Sequence, residues 1–171
     1  MIEIKDKKNC VGCTACAEIC PKKCIQMKPD EEGFLYPVVD KSRCVECNAC
    51  NMVCPIQSPV DEKEKLQKAY LVQHCDEKVR LDSSAGGAFT AIATVVLQKG
   101  GVVFGAAYDE NFHVQHTYIE AVDELKKFRN SKYVQSELGD AFCLVKSFLQ
   151  KGRWVCFSGT PCQIEGLSKF L

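Results

Sequence analysis

The spacing of apolar and polar positions predicts different structure in the two parts of the chain. In the first part the apolar groups are short. Residues 2–4 alternate and suggest a strand. Residues 25–28 and 34–39 read as the two arms of a hairpin around the turn residues of 29–33. Brief helices are expected at 14–20 and 48–54. Around residue 57 the character changes: Ser58-Pro59-Val60 leads into the charged run Asp61-Glu62-Lys63-Glu64-Lys65, which reads as a linker over 58–67. Beyond it the apolar runs lengthen and alternate in type. Strands are expected at 68–73, 102–107, 114–120 and 154–157. Helices are expected at 88–98, 122–128 and 136–151, and another opens at Pro161 in the first helical position. That last helix reaches Leu171 without a C-cap or a following strand, so the second part is expected to be the amino-terminal portion of a longer domain.

The cysteines change the picture of the first part. Cys10, Cys13, Cys16 and Cys20-Pro21 recur thirty-four residues later as Cys44, Cys47, Cys50 and Cys54-Pro55. Each copy reads C-x2-C-x2-C-x3-C-P, the rhythm of a bacterial-type two-cluster ferredoxin. Three thiolates on one tight loop can hold three irons of a cubane. The fourth lies on the following helix, points away from its own loop and completes the other cluster. This spacing assigns one 4Fe–4S cluster to Cys10, Cys13, Cys16 and Cys54, and the other to Cys44, Cys47, Cys50 and Cys20. Zinc sites usually bring two separated ligand pairs, and disulfide frameworks suit short secreted chains. A domain of some sixty residues has little core of its own, so the clusters are expected to hold it together. Cys24 falls outside the quartets and reads as a small buried hydrophobe.

Composition narrows the function further. Lys plus Arg and Asp plus Glu number 22 each, so no basic field argues for nucleic acid or an anionic membrane. No apolar run is long enough to span a bilayer. Thirteen cysteines without an export signal point to a reducing cytoplasm, and oxygen-sensitive clusters to an anaerobe.

Three stretches of the second part can carry chemistry. Ser83-Ser84-Ala85-Gly86-Gly87-Ala88-Phe89-Thr90 opens a helix, where glycines and hydroxyls either receive a flavin or nucleotide phosphate or simply make the turn and cap. In Phe128-Arg129-Asn130-Ser131-Lys132-Tyr133, the cations suit an anionic cofactor and Tyr133 a stacked ring; a plain surface loop is the other reading. Phe157-Ser158-Gly159-Thr160-Pro161-Cys162-Gln163 follows a strand and opens a helix, placing Cys162 where thiol pKa values fall. His74, His113 and His116 are not spaced as a metal site and read as isolated exposed histidines. Cys75, Cys143 and Cys156 read as core or near-core thiols. No side chain stands out as a general acid or base.

Together the ferredoxin runs, Ser84-Ala85-Gly86-Gly87-Ala88-Phe89-Thr90, Ser131-Lys132-Tyr133-Val134-Gln135-Ser136 and Phe157-Ser158-Gly159-Thr160-Pro161-Cys162-Gln163-Ile164 resemble the coenzyme F(420) hydrogenase/dehydrogenase beta-subunit family. The resemblance implies FAD beside the clusters, with Ser84, Gly86, Gly87, Thr90, Ser131, Lys132 and Tyr133 lining its site. It also implies that Cys162 joins a further cluster only where the family's later Cys-His-Gly segment is present; this chain lacks that segment.

The expected fold is α+β: a ferredoxin-type two-cluster domain over 1–57, a linker over 58–67, and an incomplete α/β domain over 68–171 with a mixed or mostly parallel sheet. The expected function is iron–sulfur electron transfer within a flavin-dependent oxidoreductase, serving a redox partner protein and an unidentified small-molecule substrate. A stand-alone electron carrier or docking subunit without flavin is the alternative.

Overall fold

A computed structural model of the chain describes residues 1–59 and 68–171. The expected linker therefore lies, from residue 60 onward, outside the described residues. The element order is a 3-10 turn at Lys7–Asn9, α1 (Ala15–Glu18), β1 (Ile25–Pro29), β2 (Leu35–Val39), α2 (Ala49–Met52), α3 (Glu77–Leu81), α4 (Ala88–Gln98), β3 (Val102–Tyr108), β4 (Val114–Ile119), a 3-10 helix at Val122–Phe128, α5 (Ala141–Gln150), β5 (Val155–Phe157) and α6 (Pro161–Phe170). The architecture is α+β. Contacts divide it into two compact units: Met1–Glu62 with Gly159–Leu171, and Lys63–Ser158. By contact, the last thirteen residues group with the cysteine-rich unit rather than with the α/β unit in which the sequence reading set them. Among the described residues, no helix is long and apolar enough to cross a membrane.

In the first unit β1 and β2 pair antiparallel, from Ile25 opposite Val39 to Pro29 opposite Leu35. Asp30 closes the hairpin by accepting the amides of Glu32 and Phe34 at 3.0 Å each, and Gly33 supplies the left-handed residue at φ +87°. Pro37 is tolerated because a two-stranded ribbon has only edges. The buried cluster of this unit holds Ile2, Ile25 and four cysteines (Cys16, Cys20, Cys24 and Cys50), so cysteines outnumber aliphatic residues in it. Residues 2–4 form no strand. Ile2 instead buries its side chain in that cluster and donates its amide to Cys50 Sγ at 3.1 Å. Helix α6 starts with a reciprocal cap between Thr160 and Gln163, with Pro161 at its first position. Gly166 lets it press on the first cysteine loop: a Cβ there would meet Cys13 Sγ at 3.3 Å and the Ala15 Cβ at 3.4 Å.

In the second unit a three-stranded mixed sheet runs β4-β3-β5, with β4 antiparallel and β5 parallel to the central β3. The two-residue period of β3 sends alternate side chains to opposite faces. Val103 packs with Ala93 and Leu97 of α4, Ile119 and Leu125. Phe104 meets Phe148 of α5, Tyr118 and Phe157 on the other face, at ring separations of 5.5–6.1 Å. Phe104, fully buried, contributes roughly 1.5–3 kcal/mol through burial. Gly105 admits the Phe128 ring, whose nearest atom would lie 2.8 Å from a Cβ.

Three expectations need correction here. Residues 68–73 form no strand. The segment lies along the 83–87 turn, where the His74 amide donates to the Gly86 carbonyl at 2.7 Å. The expected helix at 122–128 is a 3-10 helix. The helix expected from 136 begins at Ala141, because Gly139 is left-handed (φ +56°) and Glu137 bridges to Gln115. Helix α3, capped by Asp76, was not anticipated.

Candidate metal centre and cofactor cleft

The two cysteine runs fold alike. Gly12 and Glu46 are left-handed at φ 62° and 53°, as are Thr14 and Asn48 at φ 59° and 63°. Each pair is separated by the same thirty-four positions as the cysteines. The left-handed residues curl each loop and launch α1 and α2 directly after it. The curl also turns backbone donors toward sulfur: Gly12 bonds to the Cys10 thiol and Ala15 to that of Cys13.

Two hollows result. One is lined by Cys10, Cys13, Cys16 and Cys54. The other is lined by Cys20, Cys44, Cys47 and Cys50. Each hollow takes three cysteines from one run and the fourth from the other. Among the described residues no three His, Cys, Asp or Glu side chains gather tightly enough for a single ion. The sulfurs surround a space instead. Burial pushes the Cys13 thiol up to about 11, against the Ala15 amide, with Cys54 adding to the rise. Burial also pushes Cys16 up to about 12, helped by Cys13 and Cys10. Such thiols shed their protons only where a cationic centre replaces them. The donor set and the amide–sulfur bonds fit a 4Fe–4S cluster in each hollow.

Cys24 is buried as expected, but it also lines the second hollow with its Sγ 3.3 Å from Cys20 Sγ. Cys162 lies in the first unit near enough to Cys13 to raise that thiol, and its Sγ is 3.1 Å from Thr160 Oγ1. Thr14 was not singled out by the sequence. Its Oγ1 is buried, has no hydrogen-bond partner among the described residues, and belongs to a residue lining the first hollow.

The second unit has an open cleft of about 1040 Å³ counted out to its mouth, lined in part by Ser84, Gly86, Gly87, Thr90, Arg129 and Ser131. Five of the seven residues assigned to the flavin site by resemblance therefore come together. Lys132 and Tyr133 are not among the cleft's lining. Lys132 Nζ donates to the carbonyls of Lys127, Arg129 and Asn130 at 2.7–3.2 Å and staples its own loop, while burial lowers its pKa. Tyr133 is 94% exposed. Gly86 is explained by packing, since a Cβ would fall 2.1 Å from the Val72 carbonyl oxygen. Gly87, at φ +80°, caps α4. Arg129 holds Asp82 at 3.2 Å through Nη1, while its buried Nε has no hydrogen-bond partner among the described residues. That orphaned donor beside a helix N-terminus and several hydroxyls fits the phosphate end of a dinucleotide.

His116 is the residue that sequence spacing undervalued. It is buried, not exposed, and stacks on Phe157 with ring centroids 5.0 Å apart. Its Nε2 is 2.9 Å from the Ser158 carbonyl and its Nδ1 2.8 Å from Ser136 Oγ. The carbonyl can only accept, so Nε2 carries the proton. Burial lowers the His116 pKa, against the Ser158 bond. Its alternation along β4 (buried His116 between exposed Gln115 and half-buried Thr117) was the available signal. Cys75 is exposed rather than near-core, and Cys143 and Cys156 are half-buried.

Residues 9–58 match the model of the 4Fe–4S dicluster domain family. This stretch is a ferredoxin-like iron–sulfur domain, and iron–sulfur electron transfer is the function it carries. No curated protein matches the chain.

Proposed function

We propose that the chain relays electrons through two 4Fe–4S clusters, one on Cys10, Cys13, Cys16 and Cys54 and one on Cys20, Cys44, Cys47 and Cys50, working with an FAD held in the cleft of the second unit. The crossed composition of the two hollows carries the reading. When bound, the clusters supply one-electron transfer and the flavin links it to two-electron chemistry. Ser84, Thr90 and Ser131 offer hydroxyls to the flavin's polar groups, and Arg129 offers its Nε. The resemblance to the coenzyme F(420) hydrogenase beta-subunit family supports the flavin half, as does the cleft's chemistry. A redox partner protein and a reducing cytoplasm follow from the same reading.

Anaerobic reconstitution tests both halves. Eight irons per chain with two paramagnetic centres after reduction are expected, together with a flavin whose absorbance bleaches on reduction and whose binding weakens in Arg129→Leu. Iron well short of eight overturns the cluster assignment. Brown, flavin-free protein that still reduces a partner leaves the second reading, an electron carrier alone, which the positions of Lys132 and Tyr133 outside the cleft favour.

A further inference from the structure

A second kind of surface adjoins the cysteine-rich unit. An open cleft beside the hairpin is lined by Lys23, Lys28 and Arg43, with Asp40 as its sole acid and Gln26, Val38 and Val39 completing the lining. Three cations against one anion leave a local excess of two positive charges on a chain whose formal net charge is zero. The strand alternation builds it: Gln26 and Lys28 of β1 project to the exposed side, and Val38 stands opposite Gln26. Arg43 is fixed at the rim by donating Nη2 to the Lys22 carbonyl at 2.9 Å. Asp40 is occupied by Ser42, whose hydroxyl and amide it accepts at 2.6 and 3.0 Å.

The cleft shares a wall with the second hollow. Cys24 lines both, and its Sγ is 3.3 Å from Cys20 Sγ. The open cleft that adjoins the first hollow through Ile4, Asn9 and Ile56 has a different charge, with Lys5 set against Glu3 and Asp6. From this asymmetry we infer that an acidic one-electron carrier protein docks on the Lys23–Lys28–Arg43 cleft and exchanges electrons through the cluster on Cys20, Cys44, Cys47 and Cys50. The inference rests on the two-cluster reading above. A polar, net-positive cleft suits a transient encounter, in which the cations steer an acidic partner into place. In the exchange, one electron leaves a flavin hydroquinone of the carrier, which becomes the semiquinone. That electron takes the cluster from its 2+ to its 1+ level, and no covalent bond forms.

The test uses the full chain loaded with both clusters and an acidic flavodoxin hydroquinone as the carrier, with reduction followed by stopped flow. Raising salt from about 10 mM to about 300 mM cuts the Debye length from roughly 30 Å to under 10 Å. The rate constant is expected to fall by about tenfold or more over that range. Lys23→Glu/Lys28→Glu should slow the low-salt reaction by a similar factor and reverse its salt dependence, while Lys5→Glu/Lys8→Glu, with the same charge change elsewhere, should not. Photoreduction by a neutral deazaflavin should proceed equally in all three proteins. A loaded chain whose rate ignores salt, or responds equally to both charge reversals, overturns the docking site alone. A chain that takes up no iron overturns the cluster reading and the docking site with it.

Discussion

Thr14 and Asn48 hold the same left-handed turn in the two cysteine runs, at φ 59° and 63°. Asparagine is at home there; a β-branched threonine is strained, by about 1–3 kcal/mol. Asn48 Oδ1 accepts from Asn51 Nδ2 at 2.5 Å, whereas the buried Thr14 Oγ1 has no hydrogen-bond partner among the described residues, and Thr14 lines the first hollow. A hydroxyl donor toward cluster sulfur stabilises the more negative, reduced state and raises the potential. Thr14→Val should therefore lower one of the two potentials by ~40 mV, the equivalent of about 1 kcal/mol for one electron, and leave the other unchanged. Redox titration followed by electron paramagnetic resonance measures this; two unmoved potentials would show that the hydroxyl bonds no cluster.

The proposed crossed ligation makes a sharp prediction about which cysteines fail together. Cys54 lies in the second run but lines the hollow of Cys10, Cys13 and Cys16. Cys10→Ser and Cys54→Ser should each lose about half the iron and leave the same surviving resonance, while Cys44→Ser leaves the other one. If Cys54→Ser and Cys44→Ser leave the same signal, the ligation is not crossed.

Gly166 is where α6 meets the first loop. A Cβ would sit 3.3 Å from Cys13 Sγ and 3.4 Å from the Ala15 Cβ, already a tight fit, and valine adds two methyls to it. Gly166→Val is expected to cost roughly 1–3 kcal/mol by overpacking. Iron release to a chelator should accelerate for the cluster on Cys10, Cys13, Cys16 and Cys54 and not for its neighbour. Equal release from both would remove the helix from this role.

His116 gives a pH dependence whose sign can be worked out. Its folded pKa is depressed by burial below the value of about 6.5 that an unfolded histidine shows. As pH falls below ~6.5 the unfolded chain takes up this proton before the folded one does, so stability is lost toward the depressed value and is fully present above ~6.5. Urea unfolding followed through Trp154, the chain's one tryptophan, should show a lower midpoint at pH 5.5 than at pH 7.5. His116→Gln should lower both midpoints and flatten the difference. An unchanged slope in the variant would assign the pH dependence elsewhere.

The sequence by itself determined what lies within a few residues of its cause. The cysteine rhythm marks the loops because a cubane's ligands must sit at fixed short intervals. The Asp30–Gly33 turn, the β3 core strand, the α4 helix and the Pro161 start are likewise set by local chemistry. Only the tertiary structure decided matters that depend on distant chain segments meeting. It set the segment at 68–73 against Gly86 rather than in a sheet, because a strand exists only where a partner offers a ladder. It delayed α5 to Ala141 because Glu137 bridges to Gln115. It turned Lys132 back onto its own carbonyls, buried His116 between Ser136 and Ser158, and brought Gly166 onto Cys13. Apolar spacing records which side chains leave water, but not which remote neighbours they meet, and those meetings shape the hollows and the cleft.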